Sequence, residues 1–338
     1  GHFPRHKLCG EFLSPEAQAM FARLGVLEAV AHAGAHAITN AFITAPDGAA
    51  FRESLPGTAL GLSRYRLDEM LFDRAVEAGA EGRTGARVRA VAGDLDQGFS
   101  VQTDDASFAG RVVLGAYGKR GLLDRTLDRP FLKASTPYVA FKAHYAGADL
   151  ADRIEIHAFP QGYCGLSHVE DSRVNACWIS HQSALKAAGG DPEGMIDQAL
   201  RQNDVLARRF STMERVSERF EAVSQVSLAR KTPIEHDVCM IGDTAGMIAP
   251  LCGDGMAMAL RSAELVVPPV ADFLADRASA AQLRARYAAD WSDAFGLRLR
   301  LGRGIHWAAL RPGMAAAAVR ACRWVPGLGR WLIRRTRG

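Results

Sequence analysis

The sequence predicts an α/β protein in which a domain built around a parallel sheet is interrupted by an antiparallel β-sheet and followed by a helical C-terminus. Three patterns support this fold class. A short apolar run, Val238 to Ile241, precedes a glycine-rich turn and a helix of small residues. Apolar and polar residues alternate from Pro137 to Ser180, which is typical of antiparallel strands. Apolar residues recur at helical spacing from Asp68 to Ala78.

Local signals predict the remaining elements in chain order. Residues 14–33 are predicted to be helical, with Pro15 just inside a Ser14 cap. Residues 37–62 are predicted to form a hairpin around Pro46-Asp47-Gly48. Segments with strand-like composition are 88–91, 99–103, 111–114 and 220–230. Helical patterns cover 192–213 and 256–267, and Pro312 and Pro326 divide the C-terminal helical region into short pieces.

Composition is that of a globular enzyme. A chain of 338 residues with 48% hydrophobic content buries a sizeable core. Its six cysteines form no C-x-x-C pair, which indicates reduced thiols and predicts a cytoplasmic location. No apolar run reaches about 18 residues, the length of a membrane-spanning helix. His32 and His36 have no third metal-ligating residue nearby in the sequence, so no metal site is predicted. The sequence also contains no nucleic-acid recognition motif.

An acidic residue, Asp243, follows the apolar run at 238–241 and precedes glycines that open a helix. A carboxylate accepts hydrogen bonds from sugar hydroxyls, and free backbone N–H groups at a helix start attract negative charge. This pattern closely resembles the second FAD fingerprint of flavoprotein monooxygenases and of the geranylgeranyl reductase family. The resemblance implies that Asp243 binds the ribityl chain and that the helix start faces the flavin ring. It assigns cofactor contacts to Gly242, Asp243, Pro250, Gly253, Gly255 and Met256.

The N-terminal segment resembles the same family. Cys9-Gly10-Glu11 is similar to the segment that follows the second strand of the nucleotide-binding fold in geranylgeranyl reductase-like flavoproteins. The resemblance implies that Cys9 and Gly10 lie close to the isoalloxazine and that Arg5 and Lys7 lie near the FAD phosphates. Cys9 is interpreted either as a reactive catalytic thiol or as a small apolar residue against the ring.

The resembled fold also requires a G-x-G-x-x-G turn, and none occurs near residue 1. We therefore expect the chain to lack roughly thirty residues of one strand–helix–strand unit, and to bind FAD weakly by itself. Arg64, in SRYRLDEML, resembles an arginine that helps to hold the cofactor, and the alternative is a solvated arginine. Tyr117 stands where monooxygenases carry the Asp of a G-A-D-G motif.

The segment FPQGYCG, from Phe159 to Gly165, resembles a family strand–turn that faces the flavin from the substrate side. Glycines there would permit close approach of a flat ring, and Tyr163 would stack on it or donate a proton. The alternative is a tight hairpin with a tyrosine in the core. The residues predicted to bind substrate are Phe159, Pro160, Gly162, Tyr163 and Gly165.

The domain organisation follows from these elements. Residues 1–36, 63–130 and 236–275 are predicted to form the FAD-binding, Rossmann-like domain, and 37–62 with 131–235 the antiparallel substrate domain. Residues 276–338 are predicted to form a helical C-terminal region. From Phe295 onward the chain has ten arginines and no acidic residue. This region is interpreted as a cap with a solvated basic face, or as a peripheral contact with a membrane surface.

The predicted function is that of an FAD-dependent oxidoreductase of the geranylgeranyl reductase type. It would reduce carbon–carbon double bonds of an isoprenoid or other lipid-like substrate, with NAD(P)H or another reductant as electron donor. One alternative is an aromatic monooxygenase with the same fold. The other is a cofactor-free remnant that only binds a ligand or partner.

Overall fold

The computed structural model describes residues 1–337 of the chain. The strands are β1 (Phe12–Leu13), β2 (His36–Thr44), β3 (Ala50–Gly61), β4 (Val88–Asp94), β5 (Gly98–Thr103), β6 (Ser107–Gly110), β7 (Leu114–Gly115), β8 (Tyr138–Ala146), β9 (Arg153–Phe159), β10 (Gly162–His168), β11 (Val174–His181), β12 (Glu214–Arg215), β13 (Glu221–Ser224), β14 (Ile234–Glu235) and β15 (Val238–Met240). The α-helices are α1 (Glu16–Leu24), α2 (Leu27–His32), α3 (Arg64–Glu77), α4 (Leu122–Thr126), α5 (Gln182–Ala187), α6 (Pro192–Gln198), α7 (Asp204–Thr212), α8 (Gly255–Leu274), α9 (Ala280–Ala309), α10 (Pro312–Trp324) and α11 (Pro326–Arg337).

Most strands belong to one mixed sheet of nine strands. Its order is β1, β3, β2, β9, β10, β11, β8 and β12, and β13 also pairs with β8. Neighbouring strands are antiparallel except β2 and β9, which run parallel. The segments 36–61 and 138–224 therefore form one continuous sheet, although α3 and four short strands separate them in sequence.

The two faces of the nine-stranded sheet pack against different parts of the chain. Phe141 on β8 and Trp178 on β11 point to one face, where α5, α6 and α7 complete a buried core. Successive side chains of a strand point to opposite faces. Accordingly, Ala140 and Ile179 point to the other face, towards Leu8 and the end of α9. We call this second side the inner face.

A second sheet, of the three short strands β14, β15 and β7, carries the predicted Gly-Asp turn. Strands β15 and β7 run parallel, with Cys239 opposite Leu114. Helices α8 and α9 pack against this sheet, and the hydroxyl of Tyr287 donates a hydrogen bond to the carbonyl of Met240 at 2.6 Å. Strands β4, β5 and β6 form a separate antiparallel meander. The predicted strand–turn–helix is therefore present, and its strand, β15, is one of the two parallel strands.

Several local predictions need correction. Ser14 does not cap α1, because its Oγ donates to Oδ1 of Asp254 at 2.8 Å, where the fold brings the start of α8 beside it. The strand predicted at 111–114 is interrupted, since β6 ends at Gly110 and β7 begins at Leu114. The strand predicted at 220–230 is shorter, because its pairing with β8 ends at Ser224.

The C-terminal region is helical, and its helices break near the two predicted prolines. Helix α9 ends at Ala309, α10 begins at Pro312 and α11 begins at Pro326. Helices α10 and α11 pack through Val319 and Ile333 onto the edge of the large sheet formed by β2, β3 and β9. Among residues 1–337, no helix combines the length and the apolar character needed to cross a membrane.

Candidate functional site

A cleft lies between residues 8–12, the inner face of the large sheet and the turn at 250–253. We call it the central cleft. It brings together residues that are far apart in sequence and that the motifs had singled out separately: Cys9, Gly10, Tyr163, Gly165, Pro250 and Gly253. The N-terminal segment, the β10 hairpin and the turn before α8 therefore form one site.

The Gly-Asp turn presents a carboxylate at the start of α8. An ideal Cβ on Gly255 would lie 4.0 Å from Oδ1 of Asp243, so the acid and the first helical residue are neighbours. The Asp243 carboxylate is half-buried and makes no hydrogen bond or ion pair with any of residues 1–337. Its backbone carbonyl is held by Nζ of Lys231 at 2.7 Å. Burial lowers the pKa of Lys231 to about 8.

The glycines of the site serve two different purposes. Gly253 has φ +67°, a left-handed conformation that favours glycine, and a Cβ there would lie only 3.1 Å from Cδ1 of Phe12. The fold itself therefore needs glycine at this position. A Cβ on Gly10 would meet no protein atom within 4 Å. Protein packing does not explain Gly10, whereas close approach of a ligand at this wall of the cleft would.

These residues fit the binding of a flavin. Asp243 offers an acceptor without a protein partner, beside the N-terminus of a 20-residue helix. Next to the N-terminal wall of the cleft, Nδ2 of Asn175 donates to the carbonyl of Cys9 at 3.2 Å, while its buried Oδ1 has no partner among residues 1–337. A buried acceptor left unpaired is costly, and a ligand donor would satisfy it.

Glu11, the third residue of the Cys-Gly-Glu segment, is the main residue of the site that the sequence analysis did not assign. Its carboxylate is fully buried, accepts a hydrogen bond from the backbone N–H of Arg64 at 2.8 Å and contacts Nζ of Lys142. Its other oxygen lies 2.6 Å from Nε2 of His144. Burial alone raises the pKa of Glu11, but the hydrogen bond to His144 and the charge of Lys142 outweigh it and lower the pKa.

The predicted basic residues are placed in different surroundings. Arg64 forms a bidentate pair with Asp68, with Nε to Oδ1 at 2.6 Å and Nη2 to Oδ2 at 2.8 Å. Lys7 lies 2.5 Å from the same carboxylate. Arg5 instead lines a separate open cleft with His6. Asp68 therefore already neutralises much of the charge that Arg64 and Lys7 would offer to phosphates, and their role as cofactor ligands stays a prediction.

The prediction that Phe159 faces the central cleft is wrong. Its side chain has 0% exposure and packs in the core on the opposite face of the sheet, beneath α5 to α7. The two-residue turn Pro160-Gln161 connects β9 to β10. Gly162 is the first residue of β10, and a Cβ at this position would lie only 2.4 Å from the ring of Phe159. Glycine at 162 therefore serves packing of the hairpin, and neither it nor Pro160 lines the cleft.

The ring of Tyr163 lines the cleft, but its hydroxyl is engaged within the protein. It accepts a hydrogen bond from the N–H of Leu251 at 3.2 Å and lies 3.2 Å from Nδ1 of His306. Burial raises the pKa of Tyr163 well above its ordinary value, and burial lowers that of His306 to about 4. The structure therefore does not support Tyr163 as a proton donor. It supports a role for Tyr163 in positioning the turn at 250–253.

Two further predicted positions belong to supporting structure. Met256 packs against the apolar cluster that includes Leu13 and residues of α1, and it does not line the cleft. The hydroxyl of Tyr117 donates to Oδ1 of Asp124 at 2.8 Å, and the buried guanidinium of Arg129 joins that carboxylate to the carbonyl of Thr244. This buried network fixes the residue that follows Asp243.

Comparison with characterised proteins gives related reductases. Over 271 residues, 77% of this chain, the sequence is 25% identical to digeranylgeranylglycerophospholipid reductase 2 of Methanopyrus kandleri, and the match spans 67% of that protein. Over 240 residues, 66% of this chain, it is 25% identical to digeranylgeranylglycerophospholipid reductase of Haloferax volcanii, and the match spans 56% of that protein. No protein-family model matches the chain.

Solved structures with the same fold are FAD-dependent monooxygenases and flavin-dependent halogenases. The flavin-dependent brominase Bmp2 superposes with a TM-score of 0.81 at 18% identity, covering 99% of this chain and 85% of that one. PqsL, a probable FAD-dependent monooxygenase from Pseudomonas aeruginosa, superposes with a TM-score of 0.72 at 18% identity, covering 94% and 90%. The myxobacterial chondrochloren halogenase CndH gives 0.79 at 17% identity, covering 99% and 83%.

The fold is that of the FAD-dependent monooxygenases and flavin-dependent halogenases, so the predicted fold class is confirmed. The related reductase sequences confirm the predicted class of enzyme, an FAD-dependent oxidoreductase. The related sequences are digeranylgeranylglycerophospholipid reductases, which confirms the resemblance to geranylgeranyl reductase-like enzymes.

Proposed function

We propose that this chain carries the flavin and substrate sites of an FAD-dependent oxidoreductase that reduces carbon–carbon double bonds of an isoprenoid or other lipid-like substrate. The observation that carries the proposal is the central cleft, in which Cys9-Gly10, the inner face of the large sheet and the turn before α8 meet. The reductase sequences related to the chain support the direction of the chemistry.

Residues in the central cleft and next to it have different roles in binding. Asp243 accepts hydrogen bonds from the ribityl hydroxyls, and the N–H groups at the start of α8 favour negative charge on the flavin ring. Gly10 and Gly165 leave room for the ring, and Asn175 supplies an acceptor. When bound, FAD supplies the redox chemistry, while the protein orients the substrate and excludes water. Cys9 remains the catalytic candidate at the cleft wall, and its sulfur accepts the N–H of Glu11 at 3.4 Å.

Product analysis on the flavin-loaded protein tests this function. Protein expressed from the natural gene should carry flavin absorbance, and with NAD(P)H it should add two hydrogens to an isoprenoid glycerophospholipid. The Asp243→Ala variant should lose both properties. Absence of flavin from well-folded protein would overturn the proposal.

The aromatic monooxygenase is the second candidate, because the structural neighbours include PqsL, a probable FAD-dependent monooxygenase that was also solved in complex with 2-aminobenzoylacetate. An aromatic product that carries one added oxygen, with the isoprenoid lipid left unchanged, would favour this candidate. Reduction of the lipid with no oxygen added to aromatic compounds would favour the reductase.

We further propose that the enzyme works in the cytoplasm and contacts the membrane surface through its C-terminal helices. Trp324 and Trp331 are 78% and 45% exposed, and arginines surround them on α10 and α11. Exposed tryptophans beside basic residues are typical of helices that lie on an anionic bilayer. The buried side of the same helices packs on the large sheet, so the region serves as a structural cap as well.

A further inference from the structure

An apolar groove runs between the large sheet and the C-terminal helices. Its volume is about 280 Å³. Strands β2, β3 and β9 form the floor, which includes Ile156. Helices α9, α10 and α11 form the walls, which include Ala308, Val319 and Ile333. The lining is almost entirely apolar. A cavity of this kind gains by binding a hydrocarbon chain, because it removes apolar surface from water.

A buried arginine lies between the groove and the central cleft. Arg337 lines both spaces, together with Ile156 and Leu251. Its side chain has 4% exposure, its Nε donates to the carbonyl of Cys252 at 3.1 Å, and its guanidinium carbon lies 5.1 Å from the centre of the Phe12 ring.

The buried charge of Arg337 has no carboxylate within ion-pair distance among residues 1–337, although the charge of Asp254 acts on it from further away. Within the same residues, its Nη1 makes no hydrogen bond. Burial lowers the pKa of Arg337, yet a guanidinium stays charged at neutral pH. A buried charge without a partner is strongly unfavourable. An anionic group on a ligand would remove this cost and gain a charge-assisted hydrogen bond.

We propose that the groove and Arg337 together bind a long-chain carboxylic acid, with the hydrocarbon chain in the groove and the carboxylate on the guanidinium. A single guanidinium matches the single charge of a carboxylate, and the groove supplies no second cation of the kind that a doubly charged phosphate would need. The assignment names the substrate class of the proposed oxidoreductase, an unsaturated long-chain acid, and rests on that function. It places the carboxylate between the groove and the central cleft, so the double bond to be reduced is the one next to the carboxylate.

Binding measured without flavin tests this assignment directly. Calorimetric titration of the chain should show oleate binding about 10-fold to 100-fold more tightly than oleyl alcohol, the range of a charge-assisted hydrogen bond. The Arg337→Met variant keeps the apolar stem and should bind the two ligands equally. The matched control Arg334→Met removes an exposed arginine from the same helix and should keep the preference for oleate.

Two further variants keep the test decisive. Ala308→Phe fills the groove wall and should weaken oleate and oleyl alcohol alike. Arg337→Gln replaces Arg337→Met if thermal unfolding shows that the latter does not fold. Unchanged oleate affinity in a folded Arg337 variant would overturn the carboxylate site, and no binding of either ligand by the unaltered chain would overturn the groove. Tighter binding of oleyl phosphate than of oleate would overturn the choice of carboxylate.

These outcomes are separable from failure of the proposed function. Flavin content is measured on protein from the natural gene, whereas the titrations need no flavin or NAD(P)H. If oleate binds as expected but protein from the natural gene acquires no flavin, the groove assignment stands and the proposed oxidoreductase function is overturned. If that protein binds flavin but the titrations show no preference for oleate, the oxidoreductase function stands and the carboxylate site is overturned.

Discussion

Oε2 of Glu11 and Nε2 of His144 are 2.6 Å apart in the protein interior, although 133 residues separate them in sequence. Lys142, two residues from His144 on the same strand, contacts the other oxygen of that carboxylate. This buried cluster fixes the Cys-Gly-Glu segment to the inner face of the large sheet. It thereby sets one wall of the central cleft.

Replacing Glu11 by Gln should destabilise the fold. The amide cannot neutralise buried Lys142, and breaking a buried ion pair costs about 3–5 kcal/mol. The free energy of unfolding from urea denaturation measures this loss. Glu218→Gln, at an exposed glutamate, is the control and should change it little. A loss below about 1 kcal/mol for Glu11→Gln would contradict the role assigned to the cluster.

The same residue predicts a pH dependence. The folded-state pKa of Glu11 is lowered, so its contribution to stability is present above the ordinary carboxyl pKa of about 4.3 and is lost as pH falls through the folded value. Urea titrations from neutral pH downwards should show this loss for the unaltered chain. In the Glu11→Gln variant, the free energy of unfolding should decrease less over the same pH range. An equal pH dependence in the two proteins would contradict the role assigned to Glu11.

Asp243→Ala should weaken FAD binding by about 1.5–3 kcal/mol, because it removes the acceptor for the ribityl hydroxyls. Titration of FAD into protein from the natural gene, followed by flavin fluorescence, measures the change. Asp276→Ala removes an acid from the surface after α8 and should leave FAD affinity unchanged. Equal affinity for the Asp243 variant and the unaltered protein would remove Asp243 from the site.

Tyr163→Phe keeps the ring in the cleft and removes the hydroxyl that binds the N–H of Leu251. Stability should fall by about 1–2 kcal/mol, and FAD affinity should fall as well, because the turn before α8 is less well held. The pH profile of turnover should keep its shape, since the residue positions the turn. A pH profile that loses one limb in this variant would restore Tyr163 as a catalytic acid.

Replacing Trp324 and Trp331 by Ser should lower binding to vesicles containing anionic lipid while leaving the thermal unfolding temperature nearly unchanged. Both rings are exposed, whereas the packed side of α10 and α11 is untouched. Sedimentation with the vesicles measures binding. Val267→Ser, at another exposed apolar residue, is the control. Equal sedimentation of all variants would leave these helices as a structural cap alone.

Local chemistry determined much of the architecture. The hairpin at Pro46-Asp47-Gly48, the break at Pro312 and the strand–turn–helix around Asp243 each depend on residues a few positions apart, so the sequence contains the whole signal. The motif that resembles the FAD fingerprint could be identified for the same reason. Its glycines and its acid lie within one short segment.

Tertiary contacts decided the rest. The face to which Phe159 points depends on the register of β9 with β10, and a shift of one residue would reverse it. Ser14 binds Asp254 rather than α1, and Arg337 reaches the central cleft, because distant segments pack together. Periodicity and turn propensity carry no information about such long-range pairing. For that reason the sequence alone identified the kind of site, and the fold decided which side chains line it.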